Sequence, residues 1–338
     1  MTAPDEFELI RRLFAPLARH PGALGLIDDA ALLDCPSGEY LVLTTDAIVA
    51  GVHFLADDPP DLVARKLVRV NLSDLAAMGA APVGLLMAAC FGERVTTSWL
   101  EEFAEGLAAD CETFGVSLLG GDTVATRGPS TFAVTAVGTV EIGKELRRST
   151  ARPGDRVWVS GTIGDGALGL IAAQNLATRL SPDHVAFLAD RYRVPQPRVA
   201  LGRELAGVAT AAMDISDGLV GDLGHICAAS GVLAVIEAAR VPFSPAAAAA
   251  ISVGLGEGLT TALTGGDDYE LLFTAPPTFD ERIAAIAARI GARLTAIGTI
   301  MPPEDNAGGG SDGSRVQVIG TDGRALALAR GGYRHFAS

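Results

Sequence analysis

Lysine is nearly absent from this chain. Only Lys66 and Lys144 occur among 338 residues. Lys66 follows Arg65, and Lys144 precedes Glu145. A Walker-type phosphate loop needs Gly-Lys followed by Ser or Thr, so that mechanism is excluded. Positive charge is scarce altogether: 26 Lys and Arg face 40 Asp and Glu, a net charge of -14. That balance argues against nucleic acid or an anionic membrane as partner. Cysteine is equally sparse. Cys35, Cys90, Cys111 and Cys227 form no CxxC pair. Three of them sit in helical or apolar surroundings and read as buried small hydrophobes, which fits a reduced, cytoplasmic setting. No apolar run reaches the roughly 18 residues of a membrane span. The first twenty residues are acidic early and hold no continuous apolar core, unlike a signal peptide. Phe7, Ile10, Phe14 and Leu17 fall instead at helical spacing. Nothing resembles a GxSxG nucleophile elbow: the one match, Gly309–Gly313, falls in a glycine-rich stretch and not between a strand and a helix.

What remains is long and apolar. A chain of this length with 49% hydrophobic residues exceeds one ordinary core and predicts two domains. The turn-rich segment Ser149–Asp155 places the boundary, giving 1–148 and 149–338. The first part reads as a helix, strands over Ala30–Leu33 and Tyr40–Asp46, and a long helix from Pro60 to Met78. A strand over Val83–Ala89, a helix over Thr97–Phe114 and strands over Val116–Leu119 and Thr131–Val140 follow. The second part opens on a strand at Arg156–Ser160 and a helix at Ala167–Leu176, with a later strand at Leu233–Glu237 and a helix at Ser244–Ile251. Helices alternate with strands, yet some strands adjoin in sequence, so the fold class is mixed α/β and α+β. The glycine-rich stretch Pro302–Gly313 reads as a surface loop.

The chemistry lies in short acidic clusters. They read Asp28-Asp29-Ala30, Thr44-Thr45-Asp46, Asn71-Leu72-Ser73-Asp74, Gly120-Gly121-Asp122, Asp214-Ile215-Ser216-Asp217-Gly218 and Gly265-Gly266-Asp267-Asp268. Most follow an apolar run. Carboxylates at the ends of rigid elements are costly unless a positive group meets them, and Mg²⁺ prefers such oxygen ligands. Each cluster alone has an ordinary reading: Thr and Asp cap helices and turns, and Gly-Gly-Asp makes hairpins. Two glycines also let a backbone approach a phosphate closely. Asn71, Ser73 and Asp74 lie in an apolar helical stretch and need partners if buried. His53, in Gly51-Val52-His53-Phe54, shares a loop with the Thr44–Asp46 cluster. Gly164-Asp165-Gly166-Ala167-Leu168-Gly169 matches a dinucleotide fingerprint, but Asp165 inside the turn would repel a pyrophosphate. It reads as a tight strand-to-helix turn. The clusters are stronger together than singly, because independent turns would not keep presenting carboxylates after buried strands.

These segments, with Val70–Gly79 (VNLSDLAAMG), Asp267-Asp268-Tyr269-Glu270 and the Gly332–Phe336 end (GYRHF), resemble the thiamine-monophosphate kinases. The VNLSDLAAMG and DISDG segments are shared by the wider superfamily of aminoimidazole ribonucleotide synthetase-like (PurM-like) proteins. The TTD, GVHF and GYRHF segments narrow it to the kinases. The resemblance runs over nearly the whole chain. It implies an N-terminal α/β domain that dimerises through its sheet and a C-terminal α+β domain. It implies ATP-dependent phosphorylation of thiamine phosphate to thiamine diphosphate by direct in-line transfer, assisted by several Mg²⁺ ions. Family metal ligands fall on Asp29, Thr44, Thr45, Asp46, Asp74, Asp122, Asp214 and Asp217. ATP contacts fall on Gly121, Asp122, Arg148 and Ser216, and substrate contacts on His53, Asp267 and Tyr333. In the family Glu often stands where this chain has Asp267. The acceptor phosphate is largely ionised at neutral pH, so no catalytic base is expected. The alternatives are an ATP-dependent ligase or cyclase of the same superfamily, or a non-catalytic nucleotide or metal sensor.

Overall fold

Exposure alternates strictly over most of β1, Glu39–Val49, which marks a sheet with one covered face and one open face. The computed structural model describes residues 6–26, 30–303, 315–328 and 332–333. Asp28, Asp29, nearly all of the Pro302–Gly313 loop and the last residues of the GYRHF segment lie outside the described residues. The chain divides into two units, 1–75 with 80–143, and 76–79 with 144–338.

In the first unit β1 joins β2 (Ala81–Gly92), β3 (Ser117–Thr126) and β4 (Thr131–Glu141) in the order β1-β4-β2-β3. Pairs with β4 are antiparallel, and β2 and β3 are parallel. The parallel pair requires a crossover, supplied by α2, Thr97–Phe114, after the earlier α1, Pro60–Ala77. Thr96 caps α2 by accepting the Trp99 N–H, and Gly115 ends it in the left-handed conformation. Aromatic rings from helix and sheet interlock on the covered face. Phe103 lies 4.9 Å from Phe132, and Phe91 lies 5.4 Å from Phe132. The buried Asp110 of α2 accepts from Arg69 of α1 through Nε at 2.5 Å and Nη2 at 2.9 Å, so the charge inside this layer is paired.

The second unit has a six-stranded sheet in the order β10-β7-β9-β5-β8-β6. Its strands are β5 Arg156–Ser160, β6 Ala211–Asp214, β7 Leu233–Glu237, β8 Leu271–Ala275, β9 Leu294–Met301 and β10 Val316–Ile319. Helices of nine residues or more are α3 Asp165–Ala173, α4 Pro182–Arg193, α5 Leu219–Ser230 and α6 Asp280–Ile290. Both faces are covered. Val157, Val159 and Leu272 pack with Leu219, Leu223 and Ile226 of α5 on one side. Trp158, Leu271 and Phe273 pack with Ile283 and Ile286 of α6 on the other. That double burial explains why β5 and β8 are apolar without alternation.

Three sequence expectations change. Residues 31–36 form no strand. β1 runs on to Val49, so Thr44–Asp46 lies inside a strand and not at its end. Gly120–Asp122 is likewise inside β3, not in a turn after it. Gly121 (φ 157) passes the Met87 carbonyl so closely that a Cβ would lie 1.9 Å from it. Tertiary pairing has overridden local turn chemistry at both places. Burial pushes the Cys111 and Cys227 thiols up to about 12. No described helix is long and apolar enough to cross a membrane.

Candidate functional site

Alternation along β1 sends Thr44 and Asp46 to one face and Thr45 to the other. On α1, Asn71 and Asp74 are three residues apart and share a face. The two faces meet. The Thr44 hydroxyl donates to Asp74 Oδ2 at 2.5 Å, and the Asp46 N–H donates to Asn71 Oδ1 at 3.0 Å. Asn71 is itself held by donating through Nδ2 to the Leu67 carbonyl at 2.9 Å. Its buried amide is thus a strut between helix and strand. Thr45 instead donates to the Val134 carbonyl at 3.1 Å.

Beyond β1 the chain turns through Gly51–Phe54. His53 Nδ1 accepts the Val49 N–H at 3.1 Å, so the proton of a neutral ring sits on Nε2. Buried Lys66 donates to the His53 carbonyl at 2.9 Å and holds the turn against α1.

Gly121 and Asp122 lie at the opposite sheet edge. Asp46, Val134, Met87 and Gly121 form one cross-strand row. Three interstrand spacings separate its ends, roughly 14 Å. Asp122 is exposed and accepts the Thr123 N–H at 2.9 Å. Beside it opens a pocket of about 180 Å³, walled by Phe14, Leu26, Leu86 and Leu119 and edged by Gly120 and Gly121. Among the described residues no three His, Cys, Asp or Glu side chains are grouped so as to hold a metal ion. The first unit therefore brings Thr44, Asp46 and Asp74 together and leaves Asp122 apart. Asp29 lies outside the described residues.

The second unit gathers most of the remaining candidates. β6 ends at Asp214, which is buried, and the next residues, Ile215–Gly218, lead into α5. Two neighbouring segments bond to this turn. Asp267 N–H donates to the Ser216 carbonyl at 2.9 Å, and Tyr333 N–H donates to the Asp217 carbonyl at 2.9 Å. Gly266 permits the first approach, since a Cβ there would lie 1.9 Å from the Ser216 oxygen. Asp222, in the first turn of α5, accepts the Asp217 and Gly218 N–H groups at 3.1 and 3.0 Å. Burial pushes the Asp222 carboxyl up to about 7, helped by the Asp217 charge and opposed by those two bonds and by Arg148. Arg148 itself is exposed on a short 3₁₀ turn. Asp214, Ser216, Asp217, Asp267 and Tyr333 thus converge on one turn.

Sequence reasoning gave no role to Asp222, which holds this turn, or to Asp268 and Glu270, which hold the neighbouring 267–270 segment. Asp222 carries a weak local signal, an acid in the first helical turn. Asp268 and Glu270 carry none, because their partners are 72 to 110 residues away. Asp165, read as structural, is buried and accepts from Thr162 and Ser244. Burial raises its pKa, and Thr162, Ser244 and Arg191 oppose the rise.

Comparison with known proteins shows the family. Residues 27–140 match the family of AIR synthase related proteins, N-terminal domain, and residues 152–308 match the corresponding C-terminal domain. The thiamine-monophosphate kinase of Caulobacter vibrioides is 44% identical over 304 residues, covering 89% of this chain and 85% of the relative. The crystal structure of thiamine-monophosphate kinase from Stenotrophomonas maltophilia superposes with a TM-score of 0.80 at 39% identity, covering 95% of this chain and 98% of that one. A structure of AaThiL complexed with AMPPCP and TMP gives 0.74 at 29% identity, covering 99% and 100%.

Proposed function

The chain belongs to the thiamine-monophosphate kinases, within the AIR synthase related fold, and from that membership we propose that it phosphorylates thiamine phosphate with ATP to give thiamine diphosphate. The observation that carries the reading is the turn where Ser216, Asp217, Asp267 and Tyr333 meet, a junction of the residues assigned to nucleotide, metal and acceptor. A relative of the same fold was solved with an ATP analogue and TMP.

The donor chemistry fits Mg²⁺. Thr44, Asp46 and Asp74 offer hydroxyl and carboxylate oxygens on one rigid face, and a hard divalent ion takes such donors together with phosphate oxygens. Bound there, Mg²⁺ would neutralise the phosphates and favour in-line transfer by charge compensation. The chain's own residues do the rest. Arg148 offsets nucleotide charge, as a guanidinium matches phosphate geometry. His53 presents Nε2–H as a donor to the acceptor phosphate. Asp267 and Tyr333 orient the acceptor. No residue needs to remove a proton.

The site is composite in this reading. Asp46 and Asp122 lie on the two edge strands, roughly 14 Å apart along the sheet, too far to share one ion within one copy. The open face of the sheet shows Leu41 and Leu43, the latter 64% exposed, so a second copy would cover apolar surface. A twofold dimer that sets β3 of one copy against β1 of its mate would bring the Asp122 edge to the Asp46 edge. Refolding Asp46→Asn and Asp122→Asn chains together is expected to restore about a quarter of wild-type activity, because half the dimers then hold one native site of two. Activity no higher than either variant alone would place both residues in one copy's site.

The function itself is checked with purified protein, ATP, Mg²⁺ and thiamine phosphate, in the reducing conditions of cytoplasm. ADP and thiamine diphosphate are expected in equal amounts. ADP formed equally well without the acceptor points to a nucleotide sensor. Turnover only with other acceptors, in a substrate panel, points to a ligase or cyclase of the same fold.

A further inference from the structure

Two residues without glycine's freedom, Asp267 (φ 67) and Tyr269 (φ 51), hold left-handed backbone on either side of Asp268. Such conformations persist only where the surroundings over-determine them, and they cluster at ligand sites. Here the surroundings can be named. Asp268 is 1% exposed. Its Oδ2 accepts the Gly164 N–H at 2.7 Å and its Oδ1 accepts the Gly166 N–H at 2.9 Å. Both oxygens are therefore used by the glycine turn that opens α3, the segment that resembled a dinucleotide fingerprint. The backbone on both sides of Asp268 is fixed too, since Asp267 N–H donates to Ser216 and Tyr269 N–H donates to Ile215 at 2.8 Å. Gly166 could not be larger, because a Cβ would lie 2.2 Å from the Asp267 carbonyl.

We propose that Asp268 is a positioning residue: its carboxylate, clamped by the Gly164 and Gly166 N–H groups, holds the 267–269 backbone in its left-handed form and so aims the Asp267 carboxylate at the thiamine phosphate acceptor. The Gly164–Gly169 turn thereby serves the site as an anchor for a protein carboxylate, occupying with Asp268 the N–H groups that a bound phosphate would otherwise use. The inference rests on Asp267 being an acceptor contact. Asp268 acts through Asp267 and touches no reactant.

Asp268→Asn keeps the shape but turns an amide NH₂ toward one of the two N–H donors, so one clamp bond is lost. The expected result is a tenfold or larger rise in KM for thiamine phosphate, with KM for ATP within twofold of wild type. A purely structural role would lower the amount of folded protein and leave both KM values unmoved. Tyr269→Gly loosens the same clamp from the other side and relieves the positive φ, so it is expected to fold and to show the same selective rise. Asp267→Ala separates the two ideas. If it raises KM for thiamine phosphate while folded Asp268→Asn and Tyr269→Gly do not, the positioning role is overturned and the acceptor contact stands. If Asp267→Ala leaves that KM unchanged, the acceptor contact is wrong and the positioning role falls with it.

Discussion

Asp46→Asn is expected to lower kcat at least a thousandfold while leaving the metal-free thermal midpoint within a few degrees of wild type. Three decades of rate correspond to about 4 kcal/mol of transition-state stabilisation, within the several kcal/mol that ion-assisted charge neutralisation supplies. The stability side follows from which atom of Asp46 is built into the fold. The bond to Asn71 uses the backbone N–H, which the substitution keeps. The side chain belongs to a protein of net charge -14, so removing one negative charge adds no net repulsion. The signature that separates a ligand from a structural acid is linkage. Wild-type protein is expected to gain several degrees of thermal midpoint when Mg²⁺ and ATP are added together, and Asp46→Asn is expected to lose most of that gain. A variant that melts early without metal and still responds fully to Mg²⁺ and ATP would show Asp46 to be structural.

Much of this site was legible because its parts are local. Asn71 and Asp74 stand at helical spacing in an apolar stretch, and helix Pro60–Ala77 forms with them facing β1. The Ser216–Gly218 turn is carried by its own residue types, at the junction of β6 and α5. Other parts were misread for a physical reason. Thr-Thr-Asp and Gly-Gly-Asp have the composition of strand ends and turns, yet both lie within strands. They pair with β4 and β2, partners that local composition does not reveal.

The parts that escaped altogether are long-range. Asp268 looks like one more acid in Gly-Gly-Asp-Asp, and only the fold shows it turned inward onto Gly164 and Gly166. Its pKa is raised well above the ordinary carboxylate range, first by burial and against the pull of those two bonds. The acidic clusters therefore divide by direction. Some carboxylates face outward, where a cation can meet them, and others face inward, where the protein's own donors do.

Glu270 shows how much an inward carboxylate can hold, and its removal is expected to be the most destabilising single change in the second unit. It is fully buried. It accepts from the Ser160 hydroxyl at 2.5 Å, from Arg191 Nη2 at 3.1 Å, and from both Nε (2.6 Å) and Nη2 of Arg198. The carboxylate also raises the Arg198 pKa against the opposing effect of burial. Glu270→Ala leaves Arg198 without its counter-charge and Arg191, 10% exposed, with only Asp165 at 3.9 Å. Breaking a buried pair in this way costs about 3–5 kcal/mol. For a unit of this size that lowers the thermal midpoint by roughly 6–20 °C. Glu270→Gln is expected to lose less, because one oxygen can still accept from Arg198. Replacing all three charged residues with apolar ones, as Glu270→Leu with Arg191→Met and Arg198→Met, is expected to recover much of the loss, since the penalty comes from the orphaned charges and not from missing volume. Thermal unfolding of wild type and the three variants, followed by near-ultraviolet circular dichroism, decides it. If the triple variant melts no higher than Glu270→Ala, the loss lies in packing; if Glu270→Ala melts with wild type, the two arginines find water and the network carries little stability.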